Sequence, residues 1–202
     1  GVRLEEMSDE LKAAGLDLVN ISLDSLKKDR FKAITGHDSF EPVWRGVLKA
    51  LETGFKKVKL NVILMKGVNE DEAVDFARLS LEYPLSVRFI EFFNTNKRSD
   101  RLAEALFTTA EAKKAIETEL GPLSKTSPQT GGGPSEGYKL SGARGELGFI
   151  SGTSSSFCGA CNRVRLDCAG KFYPCLFSAA THDLRPLLRG GASAEELAAY
   201  VR

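Results

Sequence analysis

The chain has 202 residues with ordinary apolar (42%) and charged (27%) fractions, as expected of a globular protein with one sizeable core or two small ones. Its 28 Lys and Arg residues nearly balance 27 Asp and Glu residues, so the composition gives no support for a general nucleic-acid or membrane partner. Any bound anion must then be held by a few placed side chains. The first residues show no export signal, which predicts a cytoplasmic location, or the mitochondrial matrix in a eukaryote. Because the sequence does not start with Met, we expect it to be a fragment of a longer protein.

Three helix-to-strand units follow one another in the first half of the chain. Apolar residues at helical spacing predict helices over residues 4–14, 41–54 and 69–83. Each helix precedes an apolar, β-rich run, namely "DLVNISLDS", "KVKLNVILM" and "LSVRFIEFF". This alternation predicts an α/β fold in which parallel strands are joined by crossover helices.

Polar side chains interrupt two of these predicted strands. Lys59 and Asn61 lie in "VKLNVIL", and Arg88 and Glu91 lie in "VRFIEF". Polar groups inside a buried parallel strand need partners. Two interpretations stay open: the residues face solvent or form internal ion pairs, or they line a ligand cavity of a (β/α) barrel.

The pattern changes after residue 93. A further helix is predicted by "TAEAKKAIETEL", and "SKTSPQTGGGPSEG" is typical of a flexible loop. Short strands are predicted in "YKLSG" and "GELGFISG". Two short helices are predicted near the C-terminus, and the last one is expected to start at Ser193, with Glu196 as its capping-box partner. The sequence thus predicts three regions: residues 1–122, a flexible loop over 123–136, and a C-terminal domain over 137–202.

All four cysteines of the chain lie close together, in the pattern Cys158-x2-Cys161-x6-Cys168-x6-Cys175. Disulfides are the weaker interpretation, because nothing marks the chain as secreted and cytosolic thiols stay reduced. A structural zinc ion would use all four thiolates. An iron–sulfur cluster bound by three of them would leave Cys168 spare and one iron without a protein ligand. The spacing alone leaves zinc and the cluster open.

Two arginines lie between the second and third cysteines. Because Arg163 and Arg165 alternate, they would project to the same face of a strand. Paired guanidiniums suit a phosphate or carboxylate, with which Arg makes bidentate bonds. The alternative is that both are solvated surface charges.

These segments together carry a family resemblance. The run "SFCGACNRVRL...GKFYPCLF", preceded by "GFISGTSSSFC", resembles the C-terminal cluster motif of the GTP 3′,8-cyclase family of radical S-adenosylmethionine enzymes, known as molybdenum cofactor biosynthesis protein A. The segments "VNISLDSL", "VKLNVILMKGVNEDE" and "VRFIEFF" resemble that family in the same order. The resemblance implies a partial (β/α) TIM-type barrel followed by a small α+β domain with a [4Fe–4S] cluster, whose open iron faces the guanine base of GTP.

The resemblance also implies roles for individual residues. The cluster ligands would be Cys158, Cys161 and Cys175, with Cys168 not counted as a ligand. The contacts to GTP would come from Lys59, Arg163, Val164 and Arg165. Ser22 would contact S-adenosylmethionine, as would Phe93, which stands where relatives often carry Met. Arg88 matches an arginine of the family's active site and would be the catalytic residue.

The implied reaction converts GTP to (8S)-3′,8-cyclo-7,8-dihydroguanosine 5′-triphosphate with S-adenosylmethionine, in molybdenum cofactor biosynthesis. The family's radical-generating motif, C-x3-C-x2-C, does not occur in this sequence. A second [4Fe–4S] cluster is therefore expected only upstream of Gly1, and the segment alone is expected to be inactive. Expected partners are GTP, a second copy in a homodimer, and the next pathway enzyme, cyclic pyranopterin monophosphate synthase, by product hand-off. The alternatives are another radical enzyme with an auxiliary cluster, or a zinc-stapled anion-binding module.

Overall fold

The computed structural model describes residues 1–93, 104–126, 134–155, 161, 163–175, 178–179 and 182–201. The chain forms two compact units, Gly1–Gly159 and Ala160–Arg202. Within the described residues, no helix is both long and apolar enough to span a membrane.

The first unit combines helices and strands in an α/β arrangement. Its helices are α1 (Leu4–Ala13), α2 (Lys28–Thr35), α3 (Phe40–Thr53), α4 (Ala73–Glu82) and α5 (Thr109–Leu120), with a 3-10 turn at Glu70–Glu72 before α4. Its strands are β1 (Leu18–Ser22), β2 (Lys57–Leu64), β3 (Ser86–Glu91), β4 (Ser124–Lys125), β5 (Glu136–Lys139) and β6 (Glu146–Ile150).

The six strands form one sheet in the order β1-β2-β3-β6-β5-β4. Strands β1, β2, β3 and β6 are parallel neighbours, whereas β5 pairs antiparallel with both β6 and β4. In the parallel part the C-terminal ends of the strands meet at one edge, which is where ligand-binding loops gather in α/β proteins.

One face of the parallel strands packs into the core, and the opposite face does not. In β2 the side chains of Val58, Leu60, Val62 and Leu64 are at most 2% exposed, and the intervening side chains are half-buried. Successive side chains of a strand point to opposite faces, so this alternation defines a core face and an open face. We use "open face" below for the side of β1, β2, β3 and β6 that carries Lys59 and Arg88.

Helices cover the core face with apolar stripes. Val47 of α3, Phe76 of α4 and Ile116 of α5 are fully buried in the same cluster as the β2 side chains. Each such burial contributes about 1.5–3 kcal/mol. Helix α3 ends at Gly54, whose φ of +75° is the left-handed conformation that glycine adopts at little cost.

The second unit has a small antiparallel sheet and two short helices. Strands β7 (Arg165–Leu166), β8 (Lys171–Tyr173) and β9 (His182–Asp183) pair in that order, followed by α6 (Arg185–Arg189) and α7 (Ala194–Val201). The predicted capping box is confirmed: the Ser193 N–H donates to Glu196 Oε2 at 2.7 Å, and the Glu196 N–H donates to Ser193 Oγ at 3.2 Å.

The predicted helix-to-strand units and the parallel sheet are confirmed by α1–β1, α3–β2 and α4–β3. Helix α2 was not predicted from the sequence. Strands β5 and β6, which the sequence assigned to a C-terminal domain over 137–202, continue the sheet of the first unit, and β4 lies within the predicted flexible loop over 123–136. Residues 127–133 of that loop lie outside the described residues.

Candidate functional site on the open face

Strand register aligns polar side chains in two rows across the open face. In the first row Asn20, Lys59, Ser86 and Glu146 are successive neighbours on β1, β2, β3 and β6. The second row, one step closer to the strand C-termini, contains Ser22, Asn61, Arg88 and Gly148. Adjacent strands lie about 4.8 Å apart. The structure therefore brings three residues implied by the resemblance, Ser22, Lys59 and Arg88, onto one surface.

Glycine at position 148 makes room for the arginine in the second row. A Cβ at Gly148 would lie 3.1 Å from Arg88 Cγ and even closer to Ser135 Oγ. Both neighbours would then have to shift. The absence of a side chain at residue 148 thus leaves space for the stem of Arg88 next to the sheet backbone.

We expect Gly148→Ala to lower the free energy of unfolding by roughly 1–3 kcal/mol, because the new methyl group crowds the Arg88 stem and the Ser135 hydroxyl. Chemical denaturation with tryptophan fluorescence measures this change. In the double variant Gly148→Ala/Ser135→Ala part of the loss should be recovered, since the closest neighbour is removed. An equal loss in single and double variants would show that Ser135 does not limit the space.

Several buried polar atoms on and beside these rows have no hydrogen-bond partner within the described residues. They are Asn61 Oδ1, Ser86 Oγ, Arg88 Nε and Ser135 Oγ. A buried polar atom without a partner costs about 1–3 kcal/mol and calls for an explanation. A polar ligand on the open face would supply these partners, so the residues present fit a substrate or cofactor with charged and hydroxyl groups.

The electrostatics of the two basic residues favour an anion. Burial lowers the pKa of Lys59, and the nearby charges of Arg88 and Lys57 lower it further, while Glu146 opposes them. Burial likewise lowers the pKa of Arg88, again opposed by Glu146. Each pKa is lowered because the charged form lacks solvent or a close counter-ion. A phosphate or carboxylate bound beside them would relieve this cost.

Glu91, at the end of β3, fixes the loops next to the open face. Its side chain is 1% exposed and accepts hydrogen bonds from three backbone N–H groups, those of Thr109 (2.9 Å), Thr153 (3.0 Å) and Ser154 (2.8 Å). It also accepts from the hydroxyls of Thr109 and Ser154. Burial would raise the pKa of Glu91, but these hydrogen bonds outweigh burial and lower it. The carboxylate thus joins β3, the start of α5 and the turn that precedes the cysteine segment.

A second polar network holds the loop after β1. Asn69 donates to the carbonyls of Asp24 (2.6 Å) and Ile63 (2.8 Å) and accepts from the Met65 N–H (2.7 Å). The Ile63 N–H donates to Asp24 Oδ1 at 2.8 Å, and burial of that carboxylate raises its pKa despite this bond.

Glu72, in the turn before α4, binds the next part of the same loop. It is fully buried and accepts from Ser25 Oγ (2.8 Å), the Leu26 N–H (2.6 Å) and Arg30 Nη1 (2.6 Å). Neither Asn69 nor Glu72 was predicted to hold a loop, because in the sequence both residues only mark the start of the helix predicted over 69–83.

The cysteine segment is described in part. Cys158 lies outside the described residues, and Cys161, Cys168 and Cys175 are exposed. Hydrogen bonds from the backbone and side chain of Arg163 lower the pKa of the Cys161 thiol, with burial opposing them. The thiolate is the metal-binding form. Within the described residues, no three Cys, His, Asp or Glu side chains lie together as a metal site.

The hairpin of β7 and β8 separates Cys168 from Cys175. The turn between the strands is closed by Asp167, whose Oδ1 accepts from the Ala169 and Lys171 N–H groups, both at 2.9 Å, and Cys168 lies within this turn. Arg165 is the register partner of Tyr173, so Cys175 follows the opposite, open end of the hairpin. The chain near Arg163 approaches that same end.

The predicted GTP-contacting arginines occupy different local environments. Strand β7 begins at Arg165, so Arg163 precedes the strand instead of alternating within it. Val164 and Arg165 line an open cavity of about 580 Å³ together with Tyr173. Phe93, predicted to contact the cofactor, is half-buried two residues after β3.

Comparison with known proteins relates the whole chain to one group of enzymes. A family model described as "Molybdenum Cofactor Synthesis C" matches residues 85–202, and one described as "Radical SAM superfamily" matches residues 1–80. The chain is 47% identical over 199 residues to a GTP 3′,8-cyclase of Heliobacterium modesticaldum, covering 98% of this chain and 61% of the relative.

Other curated relatives give the same result. GTP 3′,8-cyclases of Desulforamulus reducens and Moorella thermoacetica are 41% and 42% identical, over 100% and 98% of this chain. The chain spans about three-fifths of their lengths, 62% and 61% respectively.

Proposed function

Because this chain belongs to the Molybdenum Cofactor Synthesis C family, we propose that it forms the substrate-holding part of a GTP 3′,8-cyclase. The proposed reaction converts GTP to (8S)-3′,8-cyclo-7,8-dihydroguanosine 5′-triphosphate. The observation that carries the proposal is the pair of polar rows on the open face. There, Lys59 and Arg88 have pKa values lowered by burial, and Asn61 and Arg88 present unpartnered polar atoms.

The proposed fold is a partial (β/α) TIM-type barrel followed by a small domain that binds an iron–sulfur cluster. Four parallel strands with helices on the core face support the barrel. The open face would then be the inner wall, where side chains near the strand C-termini meet the ligand. A cytoplasmic location, or the mitochondrial matrix in a eukaryote, stays a prediction.

In this proposal the chain binds, orients and shields the substrate. Lys59, Arg163, Val164 and Arg165 bind GTP. Ser22 and Phe93 contact S-adenosylmethionine, and Arg88 holds an anionic group at the reacting centre. When bound, S-adenosylmethionine and its cluster supply the radical chemistry, while the protein contributes position and exclusion of water.

We propose that Cys158, Cys161 and Cys175 hold a [4Fe–4S] cluster with one open iron. The lowered pKa of Cys161 supports a role as thiolate ligand. The position of Cys168 in the turn, away from the end of the hairpin that Cys175 follows, supports a three-cysteine set. A four-thiolate zinc site would need Cys168 beside the other cysteines.

We expect Cys168→Ser to leave the metal content unchanged after anaerobic purification, at about four irons and four sulfides per chain. The physical reason is that the serine replaces a thiol that ligates no metal. Iron, sulfide and zinc analysis with the visible absorption spectrum measures the outcome. Cys175→Ser is the matched variant and should lose the cluster. A colourless protein with one zinc, lost on Cys168→Ser, would instead support the anion-binding module.

Binding of GTP tests the proposal as a whole. Isothermal titration of the anaerobically reconstituted chain should show GTP binding that is weakened by Lys59→Gln, because a charge-assisted hydrogen bond to phosphate is lost. Lys28→Gln, an exposed change on α2, is the control. Equal GTP affinity in the two variants would contradict the placement of the substrate on the open face. The homodimer and the hand-off to cyclic pyranopterin monophosphate synthase stay predictions for the complete enzyme.

A further inference from the structure

A basic cavity lies at the end of the sheet away from the loops of the candidate site. It has a volume of about 200 Å³ and is formed where β2, β3 and β6 begin. The lining includes Lys57, Ser86 and Glu146 at the strand starts. Ligand loops of parallel α/β sheets gather at the strand C-termini, so the proposed GTP chemistry does not explain this cavity.

The lining carries four basic side chains and one carboxylate. Lys56 pairs with Asp17 at 2.9 Å, and Lys57 pairs with Glu146. Arg144 donates through Nη1 to the Glu82 carbonyl at 2.8 Å, which leaves further guanidinium donors for another acceptor. Lys139 forms no ion pair with any residue the structure describes. The lining therefore has an excess of positive charge.

Two hydroxyl groups in the same lining have no partner within the described residues. Ser86 is fully buried, and its Oγ is unpartnered, as is Thr126 Oγ1. A buried hydroxyl without a partner is costly, and here both line a cavity large enough for several waters at about 30 Å³ each. Unpartnered hydroxyl donors beside basic side chains are the groups that bind phosphate oxygens.

The backbone at one wall of the cavity is closely packed around Gly145. Gly145 donates its N–H to the Ser80 carbonyl at 2.8 Å, and a Cβ there would lie 2.7 Å from the Tyr83 carbonyl oxygen and closer still to that of Leu85. The backbone of residues 83–85 and the start of β6 therefore approach each other more closely than any side chain at residue 145 would allow. This part of the cavity wall is therefore closely packed backbone.

We propose that this cavity is a binding site for a phosphate-type oxyanion, with Lys139 and Arg144 supplying charge and Ser86 and Thr126 donating hydroxyl hydrogen bonds. The ligand is either a free anion such as orthophosphate or pyrophosphate, or the terminal phosphate of a nucleotide. The cavity shares Ser86 and Glu146 with the first polar row of the open face, whereas Lys139, Arg144 and Thr126 have no role in the proposed cyclase function.

The test is isothermal titration of the full chain with pyrophosphate, orthophosphate, GTP and guanosine. Lys139→Gln/Arg144→Gln should weaken pyrophosphate binding by about tenfold or more, since two charge-assisted bonds are lost. The matched control is Lys28→Gln/Lys114→Gln, which removes two exposed charges from α2 and α5 and should change affinity less than about twofold. Equal affinity of both double variants, or no pyrophosphate binding to the unaltered chain, would overturn the proposal.

A second variant separates binding from folding. Ser86→Ala should weaken pyrophosphate binding severalfold while the melting temperature stays the same or rises, because the hydroxyl has no protein partner to lose. A lower melting temperature with unchanged affinity would mean that Ser86 is structural and the proposal is wrong.

The choice of ligands identifies the source of the anion. If Lys139→Gln/Arg144→Gln weakens GTP and pyrophosphate equally, the site takes a nucleotide phosphate, whereas an effect on pyrophosphate alone assigns it to a free anion. Failure of the chain to bind GTP would count against the proposed function only, since pyrophosphate binding tests the cavity independently.

Discussion

Replacing Glu91 by Ala should be among the most damaging single changes in the first unit, lowering the free energy of unfolding by about 3–5 kcal/mol. The reason is that the N–H groups of Thr109, Thr153 and Ser154 all lose their acceptor in a site that is 1% exposed. Urea denaturation of the variant and the unaltered chain measures the change. Glu111→Ala is an informative control, because that carboxylate caps α5 at an exposed position and should cost only about 1 kcal/mol.

The same site predicts a pH dependence of stability. The folded-state pKa of Glu91 is lowered, so its ionised form stabilises the fold above the unfolded value of about 4.3. This contribution is lost as the pH falls through the lower, folded-state pKa. Glu91→Gln, which keeps the shape, should therefore flatten the acid side of the stability profile. An unchanged profile in that variant would show that other carboxylates dominate acid unfolding.

Arg88→Met should have opposite effects on binding and on stability. We expect GTP affinity to fall by about tenfold or more, since a partly buried guanidinium on the proposed substrate face is lost. We expect the melting temperature to stay level or rise, because burial lowers the pKa of Arg88 and its Nε has no partner within the described residues. Titration calorimetry and thermal denaturation give the two readouts.

A control for this prediction lies on the outer surface of the same region. Arg78→Met removes an exposed arginine of α4 that pairs with Asp75 three residues away, and should leave both GTP affinity and melting temperature nearly unchanged. If Arg88→Met instead lowers the melting temperature and leaves GTP affinity intact, Arg88 is a structural residue and its place in the proposed site is wrong.

The elements that the sequence predicted well are those with strong local periodicity. Helices α1, α3 and α4 each carry an apolar stripe, and the strands after them carry β-branched runs, so short-range pattern was sufficient. Helix α2 was missed because it buries only Phe31 among mostly polar neighbours. The pairing of β6 with β3 joins residues about sixty positions apart, and no local pattern specifies such a register.

The residues of the candidate site likewise include some that a local sequence pattern predicts and some that it does not. Lys59, Asn61, Arg88 and Glu91 stood out as polar residues within apolar strands, and the structure places the first three on the open face and Glu91 at a loop junction. Ser86 could have been found, because it precedes Arg88 by two residues and so shares its face. Gly148 and Ser135 could not, since their importance comes from their closeness to Arg88 in space and not in the chain.

The hydrogen bonds around Asn69 restrict which residue types can occupy position 69. Its primary amide donates two hydrogens, to the carbonyls of Asp24 and Ile63, and its oxygen accepts one from the Met65 N–H, so both ends of the side-chain amide are used. Aspartate has nearly the same shape, yet an ionised carboxylate would set acceptor against acceptor at both carbonyls. Here the count of donor hydrogens, and not volume, distinguishes two isosteric residues.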